Sequence, residues 1–185
     1  MERALKHFEA DLLVHLTYAK QEDLNLVARS SVSVVCCPSA NATLDLRLPP
    51  IPKMLERKIN VALGTDNVMF NPPDMLREMA FVMKAYRMER VAKNCLTPKE
   101  ILMMATINGA RALRIDDETG SIKEGKLADI VALDFDALNL RYTHDVLTAV
   151  VHRVHPDNVK LVLIGGEIAH DRDLKARRGT ANEAV

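Results

Sequence analysis

The chain has 185 residues, of which 25 are basic and 25 acidic, so its formal net charge is zero. This length predicts one domain, or one domain with a small appendage, and the balanced charge argues against a general nucleic-acid binder. No apolar stretch is long enough to cross a bilayer, so no membrane partner is expected. Three irregularly spaced cysteines, together with a start that does not resemble a secretory signal, predict a reducing, cytoplasmic location.

Strands and helices alternate through the first third of the chain. Helices are predicted over 2–9, 19–29 and 51–58, and buried strands over 11–16, 31–37 and 59–63. The second strand is rich in Val and ends at Pro38, which cannot donate a ladder hydrogen bond. Continuous apolar strands that alternate with helices predict an α/β fold with a parallel sheet covered on both faces.

Two further helices follow. Asp74 is placed to cap a helix that runs to about residue 90. Thr97, Pro98 and Glu100 form a capping-box sequence, which predicts a second helix start. Gly109 is predicted to end or bend that helix.

The pattern changes near residue 116, where glycines separate short β-rich segments. Strands are predicted over 130–133, 147–154 and 159–164, in antiparallel pairs. The predicted organisation is therefore an α/β part over 1–115, a small β module over 116–171, and a charged, disordered tail over 172–185.

The most informative segment is 62–68, in which an apolar strand ends in Gly64-Thr65-Asp66. Barrel enzymes place their chemistry at the carboxyl ends of parallel strands, so Asp66 is predicted to be a metal ligand or a proton-transfer group. A turn or helix-capping role is its ordinary alternative. His15 ends another predicted strand and is predicted to face the same pocket, although a lone His in an apolar strand is often a core residue.

Other polar and sulfur-containing residues near these strand ends have ordinary structural interpretations. Asn67 begins the loop after Asp66 and could line the pocket or form a turn. Asn41 and Ser39 are predicted to fix the turn after Pro38. Helix residues Arg77 and Glu78 are interpreted as a solvated or structural pair. The adjacent cysteines, Cys36 and Cys37, are predicted to be small buried hydrophobes.

Five stretches, in order, resemble the C-terminal part of a metal-dependent amidohydrolase, of the branch that holds aminohydrolases (deaminases) and triazine chlorohydrolases. They are LVHL (13–16), VVCCPSAN (34–41), LGTDN (63–67), ATINGA (105–110) and GSIKEGKLAD (120–129).

The resemblance implies the C-terminal portion of a (β/α)8 TIM-like barrel, with strands six to eight and their helices, followed by part of a small β-sandwich. It implies one divalent metal, zinc or iron, with Asp66 as a ligand and His15 facing the substrate. Asn67 would also contact the substrate. The other ligands in this family are a His-x-His pair and a further His on earlier strands. No His-x-His occurs in this sequence.

The resemblance implies hydrolysis of a non-peptide carbon–nitrogen bond, with deamination of a purine, pyrimidine, triazine or related ring by metal-activated water. Because three strands cannot close a barrel, the chain is interpreted as a fragment that does not retain a metal by itself. Two alternatives stay open: a truncated, non-catalytic chain, or a half-subunit that is active only with a separate N-terminal half. The unpaired sheet edges also predict self-association into a homo-oligomer.

Overall fold

The computed structural model describes residues 2–7, 9–69, 71–88 and 96–174. Its first part holds a parallel sheet whose strands follow chain order: β1 (Leu12–Val14), β2 (Ser33–Cys36) and β3 (Val61–Leu63). Helix α1 (Glu2–His7) precedes β1, and α2 (Gln21–Ala28) joins β1 to β2. After β2 come α3 (Pro38–Thr43) and α4 (Ile51–Glu56). Parallel neighbours need such crossovers, and the predicted α/β alternation is confirmed.

Each strand is shorter than predicted, and β1 is only partly buried. The prediction of a buried strand over 11–16 is wrong for Val14, which is 48% exposed. His15 and Leu16 leave the extended conformation, with φ values of 67° and 49°. In the described part of the chain β1 lies at the sheet edge, so only one of its sides is paired.

The strand register brings three chain segments to one edge of the sheet. Val14 pairs with Val35, and Cys36 pairs with Leu63. The hydrogen bonding continues past the strands, since the His15 N–H donates to the Val35 carbonyl (2.8 Å) and the Gly64 N–H donates to the Cys36 carbonyl (2.9 Å). The residues that follow the three strands therefore lie side by side.

The main core lies between this sheet and the helices that surround it. Helices α5 (Met75–Met88), α6 (Pro98–Met104) and α7 (Ile107–Ala112) follow β3. The large, fully buried apolar side chains of this core are Leu24, Val27, Val34, Ile51, Met54, Val61, Val82, Ile101, Met104 and Val151. Burial of one such side chain contributes about 1.5–3 kcal/mol.

The start of α6 is as predicted, but its end is not. The Glu100 N–H donates to Thr97 Oγ1 (3.2 Å), and the Thr97 N–H donates to Glu100 Oε2 (2.8 Å), so the capping box is confirmed. The prediction that Gly109 ends or bends the helix is wrong, because Gly109 lies within α7. The chain breaks at Thr106, whose hydroxyl donates to the Leu102 carbonyl (2.7 Å).

The second part contains an antiparallel sheet in the order β4 (Ile130–Leu133), β5 (Val159–Ile164) and β6 (Glu167–Asp171). Gly165 and Gly166 join β5 to β6 with φ values of 57° and 88°, which suits a two-residue hairpin turn.

The predicted strand over 147–154 is wrong, because this segment forms α8 (Val146–Arg153). Asp145 caps the helix by accepting a hydrogen bond from the Thr148 N–H (3.0 Å). Ala149 and Val151 are buried, and α8 packs against α5 and α6. Tertiary packing and the cap therefore override the β preference of its Val-rich sequence.

The end of the described chain is held by Arg172, whose guanidinium donates to the Asp134 carboxylate and to the Asp157 carbonyl (3.0 Å). The predicted disordered tail lies outside the described residues from 175 onward. Within the described ranges, every helix is too short or too polar to cross a membrane.

Candidate metal and active site

His15 and Asp66 meet where β1 and β3 end. His15 Nε2 lies 3.6 Å from Asp66 Oδ2, and the two side chains are 39% and 29% exposed. The structure therefore brings together the two residues for which the sequence predicts chemistry, at a surface that small molecules can reach.

Both residues have left-handed backbone conformations, with φ values of 67° for His15 and 60° for Asp66. A non-glycine residue in this region costs about 1–2 kcal/mol. Such strain persists only where the surrounding structure holds it, and it is concentrated at functional sites.

Asn41 orients the imidazole of His15. It is buried in α3, and its Nδ2 donates to the Arg47 carbonyl (3.2 Å) and to Thr17 Oγ1 (2.5 Å). A carbonyl can only accept, so the opposite amide atom is Oδ1, which accepts a hydrogen bond from His15 Nδ1 (3.1 Å). His15 Nδ1 therefore carries a proton, and Nε2 faces Asp66. The prediction that Asn41 serves the turn after Pro38 is wrong, because its side chain contacts the segment that follows β1 and the loop beyond α3.

Cys37 lies against the same point. Its Sγ, the His15 ring nitrogen and an Asp66 carboxylate oxygen all lie within 4.8 Å of one another. Burial, followed by the negative charges of Asp66 and Glu78, raises the pKa of the Cys37 thiol to about 12. A Cβ on Gly64 would lie 3.2 Å from Cys37 Sγ, so this glycine leaves room for the thiol. The predicted burial of Cys36 and Cys37 is confirmed, but the sequence did not indicate that the Cys37 sulfur faces the site.

Glu78 is a buried carboxylate behind this edge. It lies on α5 and accepts hydrogen bonds from the Ser39 N–H (3.0 Å) and the Ser39 hydroxyl. Burial raises its pKa, an effect that the Ser39 hydrogen bonds oppose. Asn71 Nδ2 also donates to Ser39 Oγ (3.2 Å). Of the two alternatives predicted for Glu78, solvated or structural, the structural one holds, because Glu78 is buried and fastens the start of α3 to α5.

Two variants of Glu78 test how much its hydrogen bonds to Ser39 stabilise the fold. In Glu78→Ala the Ser39 donors lose their acceptor, at a cost of about 1–3 kcal/mol in the free energy of unfolding. Glu78→Gln keeps an oxygen acceptor and removes the charge, so it should lose less at neutral pH. Urea denaturation of the three proteins at pH 7 measures these differences.

The same variants test the sign of the pKa shift. Because the folded state raises the pKa of Glu78 above 4.5, it binds this proton more tightly than the unfolded chain does. The contribution of Glu78 to stability therefore increases as pH falls through the raised pKa and is complete below 4.5. As the pH is lowered from 7 to 4.5, the free energy of unfolding of the wild type should therefore increase relative to that of Glu78→Gln. A constant difference would contradict this assignment.

Asn67 follows Asp66 and is exposed. Its Oδ1 accepts a hydrogen bond from the Met69 N–H (2.9 Å), which is the geometry of an Asn-stabilised turn. Its contact with a substrate stays a prediction.

The donor set at this edge is chemically suited to zinc. Imidazole nitrogen, cysteine sulfur and carboxylate oxygen are the three donor types that zinc takes in proteins. With zinc–ligand bonds of about 2.0–2.2 Å, tetrahedral nitrogen and oxygen ligands lie about 3.4 Å apart. The observed 3.6 Å between His15 Nε2 and Asp66 Oδ2 is close to that separation. Within the described ranges, the converging metal-donor group contains these two residues and Cys37.

Comparison with known proteins identifies the class to which this fold and site belong. The amidohydrolase family model matches residues 4–169. The chain therefore belongs to the amidohydrolase family, which confirms the resemblance seen in its sequence.

Individual relatives show how much of a longer enzyme is matched. The chain is 40% identical over 168 residues to a Methanothermobacter thermautotrophicus protein provisionally named an aminohydrolase. This match covers 91% of the present chain and 40% of that protein. It is 37% identical over 166 residues to the 5-methylthioadenosine/S-adenosylhomocysteine deaminase of Thermoanaerobacter pseudethanolicus, covering 87% and 38% respectively. The chain thus spans well under half the length of these curated relatives.

A solved structure shares the fold. An adenosine deaminase from Xanthomonas campestris, crystallised with bound zinc, superposes with a TM-score of 0.83 at 28% identity. The match covers 98% of this chain and 46% of that enzyme.

Proposed function

We propose that this chain contributes strands six to eight of a (β/α)8 barrel, with part of a small β-sandwich, to a metal-dependent hydrolase of non-peptide carbon–nitrogen bonds. The reaction proposed is deamination of a purine, pyrimidine, triazine or related ring. The observation that carries the proposal is the 3.6 Å approach of His15 and Asp66 at the carboxyl ends of parallel strands.

Asp66 is proposed to hold the divalent metal, zinc or iron, and to move a proton. Zinc in the adenosine deaminase that shares this fold supports the choice of a divalent metal. When bound, such a metal lowers the pKa of water so that hydroxide is available near neutral pH. The Asp66 carboxylate then accepts a proton from the attacking water and delivers it to the departing amine.

His15 is proposed to face the substrate. The hydrogen bond from its Nδ1 to Asn41 Oδ1 fixes the ring, so Nε2 stays directed at the reaction centre. From there it polarises the substrate or the attacking water. Asn67, at the start of the next loop, is proposed to line the same pocket.

A chimera tests this proposal. In the Thermoanaerobacter pseudethanolicus deaminase, the matched segment of 166 residues is replaced by the corresponding segment of this chain. Ammonia release is measured with 5-methylthioadenosine, S-adenosylhomocysteine, and a panel of other purines, pyrimidines and triazines. We expect zinc-dependent deamination of at least one of them. A folded, zinc-loaded chimera that releases no ammonia from any member of the panel would overturn the proposal.

The same panel is applied to this chain alone and to the chain co-produced with the remaining part of the deaminase. Turnover only on co-production would support the half-subunit alternative. Turnover by the isolated chain would show that it needs no complementing half.

A further inference from the structure

We propose that this chain by itself forms a three-donor site for a sulfur-binding divalent cation such as zinc, cobalt or cadmium, in which Cys37 Sγ is a ligand beside His15 Nε2 and Asp66. The site shares His15 and Asp66 with the proposed hydrolytic centre, on which this inference in part rests, but it does not depend on turnover. It differs from the sequence-based expectation that the chain alone retains no metal.

The first support is the convergence of three different donors. The separation of His15 Nε2 and Asp66 Oδ2 already matches that of two tetrahedral zinc ligands. Cys37 Sγ lies within 4.8 Å of a ring nitrogen of His15 and of a carboxylate oxygen of Asp66, whereas tetrahedral sulfur and nitrogen ligands lie about 3.6 Å apart. An approach of about 1 Å by the sulfur would therefore complete the set.

The second support is the orientation of the imidazole ring. Asn41 Oδ1 accepts the hydrogen bond from His15 Nδ1, so Nε2 is the ring nitrogen that lies toward the Asp66 carboxylate. A metal cation between Nε2 and Oδ2 would be bound by both, and the hydrogen bond from Nδ1 to a polar partner is the usual arrangement for a metal-bound His.

The third support is the position of the sulfur. The Cys37 Sγ atom lies within 4.8 Å of a carboxylate oxygen of Asp66. The absence of a Cβ at Gly64 leaves space for it. Cys37 is buried, while His15 and Asp66 are partly open to solvent. A cation would therefore have three protein ligands and an open fourth position. Binding would release the thiol proton to solvent.

The donor types also set the class of cation. Sulfur and nitrogen ligands favour zinc and cobalt over magnesium and calcium, which prefer oxygen.

A cobalt titration of the isolated chain tests the site. Cys95, which lies outside the described residues, is first replaced by Ser to remove a competing thiol. Cobalt(II) bound through sulfur gives an intense near-ultraviolet charge-transfer band, and we expect saturation at one equivalent. Cys37→Ser should abolish this band. Cys36→Ser is the matched control, because the Cys36 thiol is directed at the His15 carbonyl (3.8 Å), and the band should persist. Asp66→Asn should weaken cobalt binding at least tenfold.

Asn41 tests the imidazole orientation independently. Asn41→Leu removes the acceptor for His15 Nδ1 and should weaken cobalt binding by about 10–100-fold. Asn41→Asp restores an acceptor and should recover most of the affinity. Equal affinities for the two variants would remove the second support.

The outcomes separate this site from the proposed enzyme. Absence of the band in the parent chain, or its persistence in Cys37→Ser, overturns the three-donor site. Circular dichroism shows whether Cys37→Ser is folded. If it is not, the cadmium NMR chemical shift of the cadmium-bound parent chain decides whether sulfur is a ligand, because sulfur and oxygen ligation give widely separated resonances. An active chimera, together with an isolated chain that gives no sulfur-to-cobalt band, would retain the hydrolytic proposal and reject this one.

Discussion

Asp66→Asn in the chimera is expected to lower kcat by about 10²–10⁴-fold, the contribution typical of a positioned acid–base group. The amide cannot accept the proton of the attacking water, and it is a poorer ligand for a divalent metal than a carboxylate. Bound zinc should therefore fall together with turnover. Steady-state kinetics and elemental analysis of the same preparation measure both.

His15→Ala separates the proposed roles of the two residues. In the chimera, the host enzyme supplies the imidazole ligands that the resemblance implies, so this variant should lose turnover but keep near-normal zinc. Asp117→Asn is the control, because it removes one exposed carboxylate far along the chain from the strand ends and should leave both quantities unchanged. Full activity in both Asp66→Asn and His15→Ala would contradict the site assignment.

The strand-end residues could be predicted because the relevant signals are local. The Val-rich strand ends before Pro38, and Gly64 marks the end of β3. Since parallel strands present their carboxyl ends at one edge, the meeting of His15 and Asp66 follows from the order of the elements. The exact approach distance does not, because it depends on the left-handed backbone at both residues.

The supporting residues were missed because their contacts are distant in sequence. The hydrogen bond between His15 and Asn41 spans 26 positions, and that between Ser39 and Glu78 spans 39. No local pattern around Asn41 indicates its partner. For Glu78 a signal did exist, since it lies three residues after Met75 and four before Val82, which places it on the apolar face of α5. A carboxylate on a buried face requires a partner.

Helix α8 shows where local preference gives the wrong answer. Its sequence, VLTAVVHR, contains three valines and suits a strand as well as a helix. Two features outside the apolar pattern decide the outcome: the Asp145 cap and the contact of Val151 with the main core. Since that core also holds Ile101 of α6, the first and second parts of the chain are packed together.

Gly120→Ala is expected to destabilise the protein by about 2–5 kcal/mol, from two separate causes. Gly120 has a φ of 84°, a conformation that costs an L-residue about 1–2 kcal/mol. An added Cβ would also lie 2.6 Å from Ala110 Cβ and 3.0 Å from Ile107 Cα, both in α7. Because these are a short side chain and the backbone of a packed helix, the clash cannot be relieved by rotating a flexible side chain, and α7 must move.

Gly125→Ala isolates the contribution of the clash. Gly125 has a similar φ of 88°, but nothing lies within 4 Å of its added Cβ, so only the conformational cost of about 1–2 kcal/mol applies. The free energies of unfolding, from urea denaturation of both variants, should therefore differ by about 1–3 kcal/mol, the usual cost of overpacking. Equal losses would show that α7 is not held against the turn at Gly120.

A displaced α7 would also disturb β3, because Asn108 Nδ2 of α7 donates to the Val61 carbonyl (2.9 Å). Cobalt affinity of Gly120→Ala should therefore fall below that of Gly125→Ala, since β3 leads directly to Asp66.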